Sequence, residues 1–267
     1  MHFDDKKSYL KGFQKEDSIP FPCPYCEKIS LSLKADSWYE YDQGQYHKHD
    51  EFMDPEDSVS YAFNAVYQCN NTKCGQEIFS SGIGSVCGEY VEMGYGDYQP
   101  QYNYYYKPRF FQPPVHFFKL PIDTPYKTRA AIELSFSLVL QSPAAAVNSL
   151  RSAVEELLET HGIKKDPNRS LHKRIEDDLT KKPALAPFQD LLMAIKWLGN
   201  SGSHGDTVEL EHILFVYEVL EFILNTLYTE NRSQYLNAVA QATILVKRAL
   251  RPEELSKIPK VEKDSTD

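Results

Sequence analysis

All five cysteines of this 267-residue chain precede residue 88. Four of them form two spaced pairs, Cys23-Pro24-Tyr25-Cys26 and Cys69-Asn70-Asn71-Thr72-Lys73-Cys74. Two tight turns that each present two thiolates make the four-sulfur tetrahedron a structural zinc ion takes. The flanks suit this arrangement. Ile29 to Leu33 and Tyr61 to Tyr67 alternate as strands, the second running toward Cys69, and Gln76 to Ser80 leads away from Cys74. Strands around two such turns predict a small β zinc ribbon with Zn2+ on Cys23, Cys26, Cys69 and Cys74. The second pair is looser than the usual two-residue spacing. Four thiolates close the coordination sphere, so the ion is expected to be structural and not catalytic. It would stabilise a fold too small to bury enough core alone.

The opening residues, Met1-His2-Phe3-Asp4-Asp5-Lys6-Lys7, are charged and lack the apolar stretch of a secretory leader. The expected location is therefore the cytoplasm, where metal binding is favoured over disulfides. Cys87 has no partner in this scheme and reads as a buried small hydrophobe. His47 and His49 are further donors, but they lie in residues 36–57, which hold eight Asp or Glu and one Lys. That acidic insert is expected to be a surface loop between the two cysteine turns.

Charge limits what the chain can bind. Residues 1–122 carry 11 Lys and Arg against 17 Asp and Glu, and the whole chain has a formal charge of −9. Nucleic-acid affinity rests on basic charge, so any such contact must use a local patch. The best stretch is residues 164–182, with seven basic and four acidic residues; its plainer reading is a solvated helix face. No apolar run reaches the length of about 18 residues that a membrane span needs.

Residues 91–122 are rich in aromatics, among them Tyr102, Tyr104, Tyr105, Tyr106, Phe110, Phe111, Phe117 and Phe118, and are punctuated by Pro100, Pro108, Pro113, Pro114 and Pro121. Two readings stand: a stacking platform for single-stranded nucleic acid, and an extended connector packing the ribbon against the next domain. The connector is preferred. After Pro121 the apolar spacing becomes helical. Asp123 or Thr124 caps a helix to about Gln141, with Pro125 at its first position. Ser142-Pro143 starts a second helix that ends at His161-Gly162, and its Val147, Leu150, Val154, Leu157 and Leu158 line one face. Ser170 caps a short helix to Lys182, another covers about Pro187 to Leu198, and a last one spans about 232–250. Residues 208–228 are apolar nearly all round, which places that helix centrally or at a dimer interface. The expected fold class is mainly α. A ribbon module with its acidic insert (1–90) and the connector (91–122) lead to a helical bundle (123–250) and a charged tail (251–267).

The candidate site in this bundle is Trp197-Leu198-Gly199-Asn200-Ser201-Gly202-Ser203-His204-Gly205, expected as a loop between two apolar helices. His204 has the residue type for general acid–base work near neutral pH. The plainer role is a helix–helix turn in which Asn200 caps and His204 satisfies a carbonyl. Arg151 and Glu155 are spaced i, i+4 on the second helix. Arg151 could hold a phosphate or simply pair with Glu155.

Leu150-Arg151-Ser152-Ala153-Val154-Glu155, then Leu171 and Ile175, then Ile195-Lys196-Trp197-Leu198-Gly199-Asn200-Ser201-Gly202-Ser203-His204 resemble the domain of unknown function 4145, a branch of the HEPN superfamily (higher eukaryotes and prokaryotes nucleotide-binding). The resemblance covers about residues 120–230. It implies a HEPN-like bundle, a homodimer, and a prokaryotic or phage-conflict setting with a restriction or defence partner. Many HEPN proteins are metal-independent ribonucleases in which a His shuttles the proton of the attacking 2′-hydroxyl and an Arg steadies phosphate charge. His204 and Asn200 match that pattern. The Arg position does not, because Trp197, Leu198 and Gly199 stand there and Lys196 is one residue too far. The resemblance therefore implies a non-catalytic or weakly catalytic module that binds nucleic acid, a nucleotide or a protein partner through Arg151, Glu155, Lys196, Asn200 and His204. The alternatives are an endoribonuclease using His204, Asn200 and Arg151 as catalytic residues, and a homodimerising scaffold.

Overall fold

The structure, a computed structural model, describes residues 7–43, 60–94, 96–203 and 208–229. They divide into two compact units. One gathers the described residues up to Lys119 with Glu133–Ala146 and Glu209–Glu218. The other gathers the described residues of Leu120–Ile132, of Val147–Val208 and from Val219 onward.

The first unit is built on a five-stranded antiparallel sheet: β1 (Leu31–Leu33), β2 (Tyr39–Asp42), β3 (Ser60–Cys69), β4 (Glu77–Gly94) and β5 (Asp97–Gln112). The order is β1-β3-β4-β5, with β2 also paired to β3. Alternation sets the inner face: Phe63, Ala65, Tyr67 and Cys69 of β3 are buried while Asn64 and Gln68 are exposed. The core is aromatic. Trp38 stacks on Phe63 at 4.6 Å, and Tyr106 meets Trp38 edge-on at 4.6 Å. Nearby, Tyr217 packs against Phe136 at 5.0 Å and Phe117 at 5.3 Å, and its hydroxyl pairs with Ser135 at 2.8 Å. Two glycines make room for the β4–β5 crossing. A Cβ on Gly82 would stand 2.2 Å from the Lys107 carbonyl oxygen, and one on Gly84 would stand 2.7 Å from the Tyr106 ring.

This sheet overturns the expectation of a mainly α protein. The described residues are about 40% helical and 28% strand. Residues 97–112, expected as connector, form β5. Prolines hid this strand. Pro100 and Pro108 cannot donate to a ladder, but β5 is the sheet's outer strand, where a missing N–H is tolerated. Pro108 also pairs with Gly82 beside a register shift. Cys87, expected to be buried, is exposed on β4.

The helices are α1 (Tyr126–Leu138), α2 (Pro143–Thr160), α3 (Gln189–Ser203) and α4 (Leu210–Tyr228). The local signals of α2 behave as expected, whereas the Thr124 hydroxyl, a candidate cap for α1, has no hydrogen-bond partner among the described residues. Ser142 Oγ accepts from the Ala145 amide at the start of α2. Gly162, at φ +79°, ends that helix while the Ile163 amide reaches back to the Leu158 carbonyl. Val147, Leu150, Val154, Leu157 and Leu158 are all buried. Between α2 and α3 runs a helical stretch capped by Ser170 and containing a π turn, Arg174–Asp178. Arg174 is buried, and its Nη2 donates to the Ile163 carbonyl at 2.7 Å. α4 is buried on most of its circumference. No helix among the described residues is long and apolar enough to cross a membrane.

One expectation fails at the centre of interest. Gly199 to Ser203, expected as a loop, are the last turns of α3. The reason is packing: a Cβ on Gly199 would lie 3.2 Å from the Arg151 Cβ and 3.4 Å from its Cδ. The glycine permits close helix approach and does not mark a turn. His204, the expected helix at 232–250, the tail, His47 and His49 lie outside the described residues.

Candidate metal centre and cation pair

The four paired cysteines converge. Their sulfurs all lie within 4.8 Å of one another. Contacts run across the two turns, with Cys23 Sγ 3.8 Å from Cys74 Sγ and Cys26 Sγ 3.6 Å from Cys69 Sγ. Metal–sulfur bonds of about 2.3 Å in a tetrahedron give sulfur–sulfur edges of about 3.8 Å. The donor set therefore fits a metal ion.

The local fold explains the convergence. In the first turn the Cys23 amide donates to the Lys28 carbonyl at 2.9 Å, and Glu27 takes a positive φ of 60° to close it. In the second, the Gly75 amide donates to the Asn71 carbonyl at 3.0 Å, and Gly75 takes φ +60°. The Asn70 amide donates to the Ser30 carbonyl at 2.8 Å, which ties the two turns together. Backbone amides face the sulfurs: those of Tyr25 and Cys26 reach Cys23, that of Lys28 reaches Cys26, and that of Gln76 reaches Cys74. Ser30 Oγ lies 3.0 Å from Cys69 Sγ. These donors favour thiolate. Burial pushes the Cys23 thiol up to about 12, whereas a hydrogen bond from the Asn71 side chain holds Cys26 down at about 6. A bound dication would settle all four as thiolates. Four sulfur ligands leave no open position, so the centre can staple but cannot activate a substrate.

The second site lies on facing stretches of α2 and α3. Arg151 Nε is 3.8 Å from Glu155 Oε1, one turn along α2. Glu155 is shared, because Lys165 Nζ lies 3.0 Å from its other oxygen. Lys196 of α3 is half-buried beside Arg151. Its pKa is held below the ordinary lysine range by desolvation and, second, by the Arg151 charge. Arg151 and Lys165 thus share one carboxylate, Lys196 stands beside Arg151 as a further cation, and the stem of Arg151 lies against Gly199. The structure brings Arg151 together with Glu155 on α2 and places Lys196 of α3 beside Arg151. The backbone of Asn200 continues α3, and His204 is outside the described residues.

The basic stretch 164–182 is not a free patch. Arg169 pairs with Asp177 at 2.9 Å and with Asp178, Lys181 pairs with Asp178 at 3.0 Å, and Arg174 is buried. Sequence reasoning missed a third group, in which Glu40 Oε2 accepts from the Tyr106 hydroxyl at 2.7 Å and from Trp38 Nε1 at 2.9 Å. The signal for it was present in the every-second-residue run Tyr102, Tyr104, Tyr106, which marks one face of a strand.

Residues 133–257 match the family model of a domain of unknown function, DUF4145. The expected resemblance holds at that level. Residues 11–111 match a second domain of unknown function, DUF8608. That match spans both cysteine turns and β1 through most of β5, so the aromatic strand falls within the same matched region as the metal centre. No curated protein and no solved structure matches the chain.

Proposed function

We propose that the DUF4145 region is a HEPN-type module that binds a phosphate of RNA or of a nucleotide at Arg151 and Lys196. The DUF8608 region would be a zinc-ribbon-type domain that supplies a second recognition surface. The observation that carries this reading is the pair of cations on facing helices, Arg151 and Lys196, while the carboxylate beside Arg151 is shared with Lys165. Two cations held this close repel each other, and a phosphate relieves the repulsion while accepting the guanidinium's paired donors. Glu155, braced by Lys165, orients Arg151 without neutralising the site. Gly199 lies within the stretch from which an active relative's arginine acts, which favours binding over cleavage. In this reading Zn2+ is the ion on the four cysteines, the chain works as a homodimer in the cytoplasm, and its setting is prokaryotic or phage defence.

The test is anisotropy of labelled single-stranded RNA with the intact chain over a range of salt. Arg151→Ala and Lys196→Ala should each weaken binding about tenfold and lower the salt slope by about one. Unchanged affinity in both variants would sink the reading. RNA cleavage that persists with chelator and disappears in His204→Ala would replace it with the ribonuclease alternative. Zinc analysis of fresh protein should give about one ion per chain, as expected for a closed four-thiolate site.

A further inference from the structure

The sheet is not the same width along its length. β3 pairs with β4 from Gln68↔Glu77 to Ser60↔Ser85 and then stops. From Val86 to Gly94, β4 has β5 as its only partner among the described residues, through pairs that run from Val86↔Tyr104 to Gly94↔Asp97. This stretch is a two-stranded arm. Its cross-strand pairs put Val86, Gly88, Tyr90 and Glu92 on one face with Tyr104, Tyr102, Pro100 and Tyr98. The same face, continued inward, carries Gly84 and the buried Tyr106, so it extends the core face of the sheet. On the arm the rings are open, with Tyr90 77%, Tyr98 57%, Tyr104 45% and Tyr102 39% exposed. The opposite face of the arm carries no aromatic side chain; Cys87, Glu89, Val91, Gln99, Gln101 and Asn103 lie there.

At the base of this face is a cleft of about 270 Å³, lined by Lys15, Glu16, Glu40, Tyr102, Tyr104 and Tyr106 among others. Glu40 is exposed but fixed. Both of its hydrogen-bond donors, Tyr106 and Trp38, engage Oε2, which leaves Oε1 as an acceptor. Lys15 Nζ already sits 5.5 Å over the Trp38 ring, so the site holds a cation against an aromatic face beside a carboxylate. Charge along the arm is one-sided. Residues 78–106 contain no Lys, Arg or His, and they include Glu89, Glu92 and Asp97.

We propose that the tyrosine face of this arm, with the cleft at its base, docks an arginine-bearing basic segment of a partner protein. Guanidinium groups lie flat on tyrosine rings, and their forked donors match a fixed carboxylate such as Glu40. Nucleic acid is disfavoured there because the arm offers phosphates acids and no cation, and Lys15 at the cleft is already set over Trp38 beside the Glu40 carboxylate. The arm of a second copy is disfavoured there, because it would bring Glu89, Glu92 and Asp97 against their own counterparts.

The intact chain is titrated into a fluorescein-labelled Arg/Gly/Ser peptide, its Lys counterpart, its Glu counterpart, and labelled single-stranded RNA. The Arg peptide should bind several-fold tighter than the Lys peptide, and the Glu peptide should not bind. Tyr98→Ser with Tyr104→Ser should weaken the Arg peptide about tenfold, at about three- to fivefold per ring, without moving the melting midpoint. Glu40→Gln should weaken it too. Tyr126→Ser, at an exposed tyrosine outside the arm, should leave it unchanged. Equal binding of Arg and Glu peptides overturns the proposal, as does an arm variant that binds like the parent. Loss of RNA binding or of self-association in the arm variant, with the Arg peptide unaffected, also overturns it. Arg151→Ala should leave peptide binding intact, which keeps this outcome distinct from the phosphate reading of the helices.

Discussion

In the sheet unit the strongest chemical groups are closed around one another. Four sulfurs converge to within 4.8 Å, and amides and Ser30 face them. In the helical unit Arg151 stands beside a second cation, Lys196, and the carboxylate it pairs with is also held by Lys165. The difference separates stapling from binding. A saturated centre contributes stability and gives a ligand nothing to displace, whereas an under-neutralised pair costs stability until an anion arrives. The helical unit can bear that cost because its core is aliphatic and well buried. A metal ion on the four sulfurs would tie the two cysteine turns of the sheet unit together.

Metal removal is the largest test of that contrast. Structural zinc sites supply on the order of 10 kcal/mol of binding free energy that is also folding free energy. A strong chelator should abolish hydrogen-exchange protection across β1 and β3 while α2 and α3 keep theirs. Equal loss in both places would break the comparison. Next comes the sheet's tightest crossing. Gly82→Ala puts a methyl against the Lys107 carbonyl, 2.2 Å away and part of the backbone. It should destabilise the sheet unit by about 3 kcal/mol, the upper range for overpacking, read as a fall in the denaturant midpoint.

Legibility in the sequence divides in the same way, between local and distant causes. The cysteine turns and the start and stop of α2 were legible because Cys23-Pro24-Tyr25-Cys26, Ser142-Pro143 and Gly162 each act on their own few residues. β5 was not, because whether Pro100 and Pro108 break a strand depends on its lying at the sheet's edge, which is a tertiary fact. Gly199 misled for a similar reason. Three glycines near Asn200 argue locally for a loop, but the stem of Arg151 on another helix sets the geometry. Arg151 and Lys196 were grouped only through the family resemblance, since 45 positions separate them and no local spacing links them.

Gly199→Ala sharpens the point at lower cost. Alanine favours helix over glycine by about 1 kcal/mol, while its methyl must displace the Arg151 stem by a few tenths of an ångström from a 3.2 Å contact. The two effects oppose, so stability should move by less than about 1 kcal/mol. Arg151 shifts, however, and RNA affinity should fall severalfold. A variant that binds RNA like the parent would show that the position of Arg151 does not matter.

The smallest expected effect concerns pH and distinguishes the helices from the metal centre. His161, at the end of α2, lies with Nε2 3.1 Å from the Tyr228 hydroxyl. Burial, and then the Lys182 charge, hold its pKa below the ordinary value of 6.5. As pH falls, the unfolded chain therefore takes up this proton before the folded one does. The stability that the neutral ring secures is complete above about pH 6.5 and is lost as pH drops through the folded value. His161→Gln keeps a hydrogen-bonding side chain without the titration. Exchange protection of α2 in the parent should decline as pH falls below about 6.5, and the variant should show a flatter profile. Acid also protonates metal-bound thiolates, but that loss registers in β1 and β3. If the His161→Gln profile of α2 tracks the parent's, acid reaches the helices through the sheet, and the two units are not energetically separate.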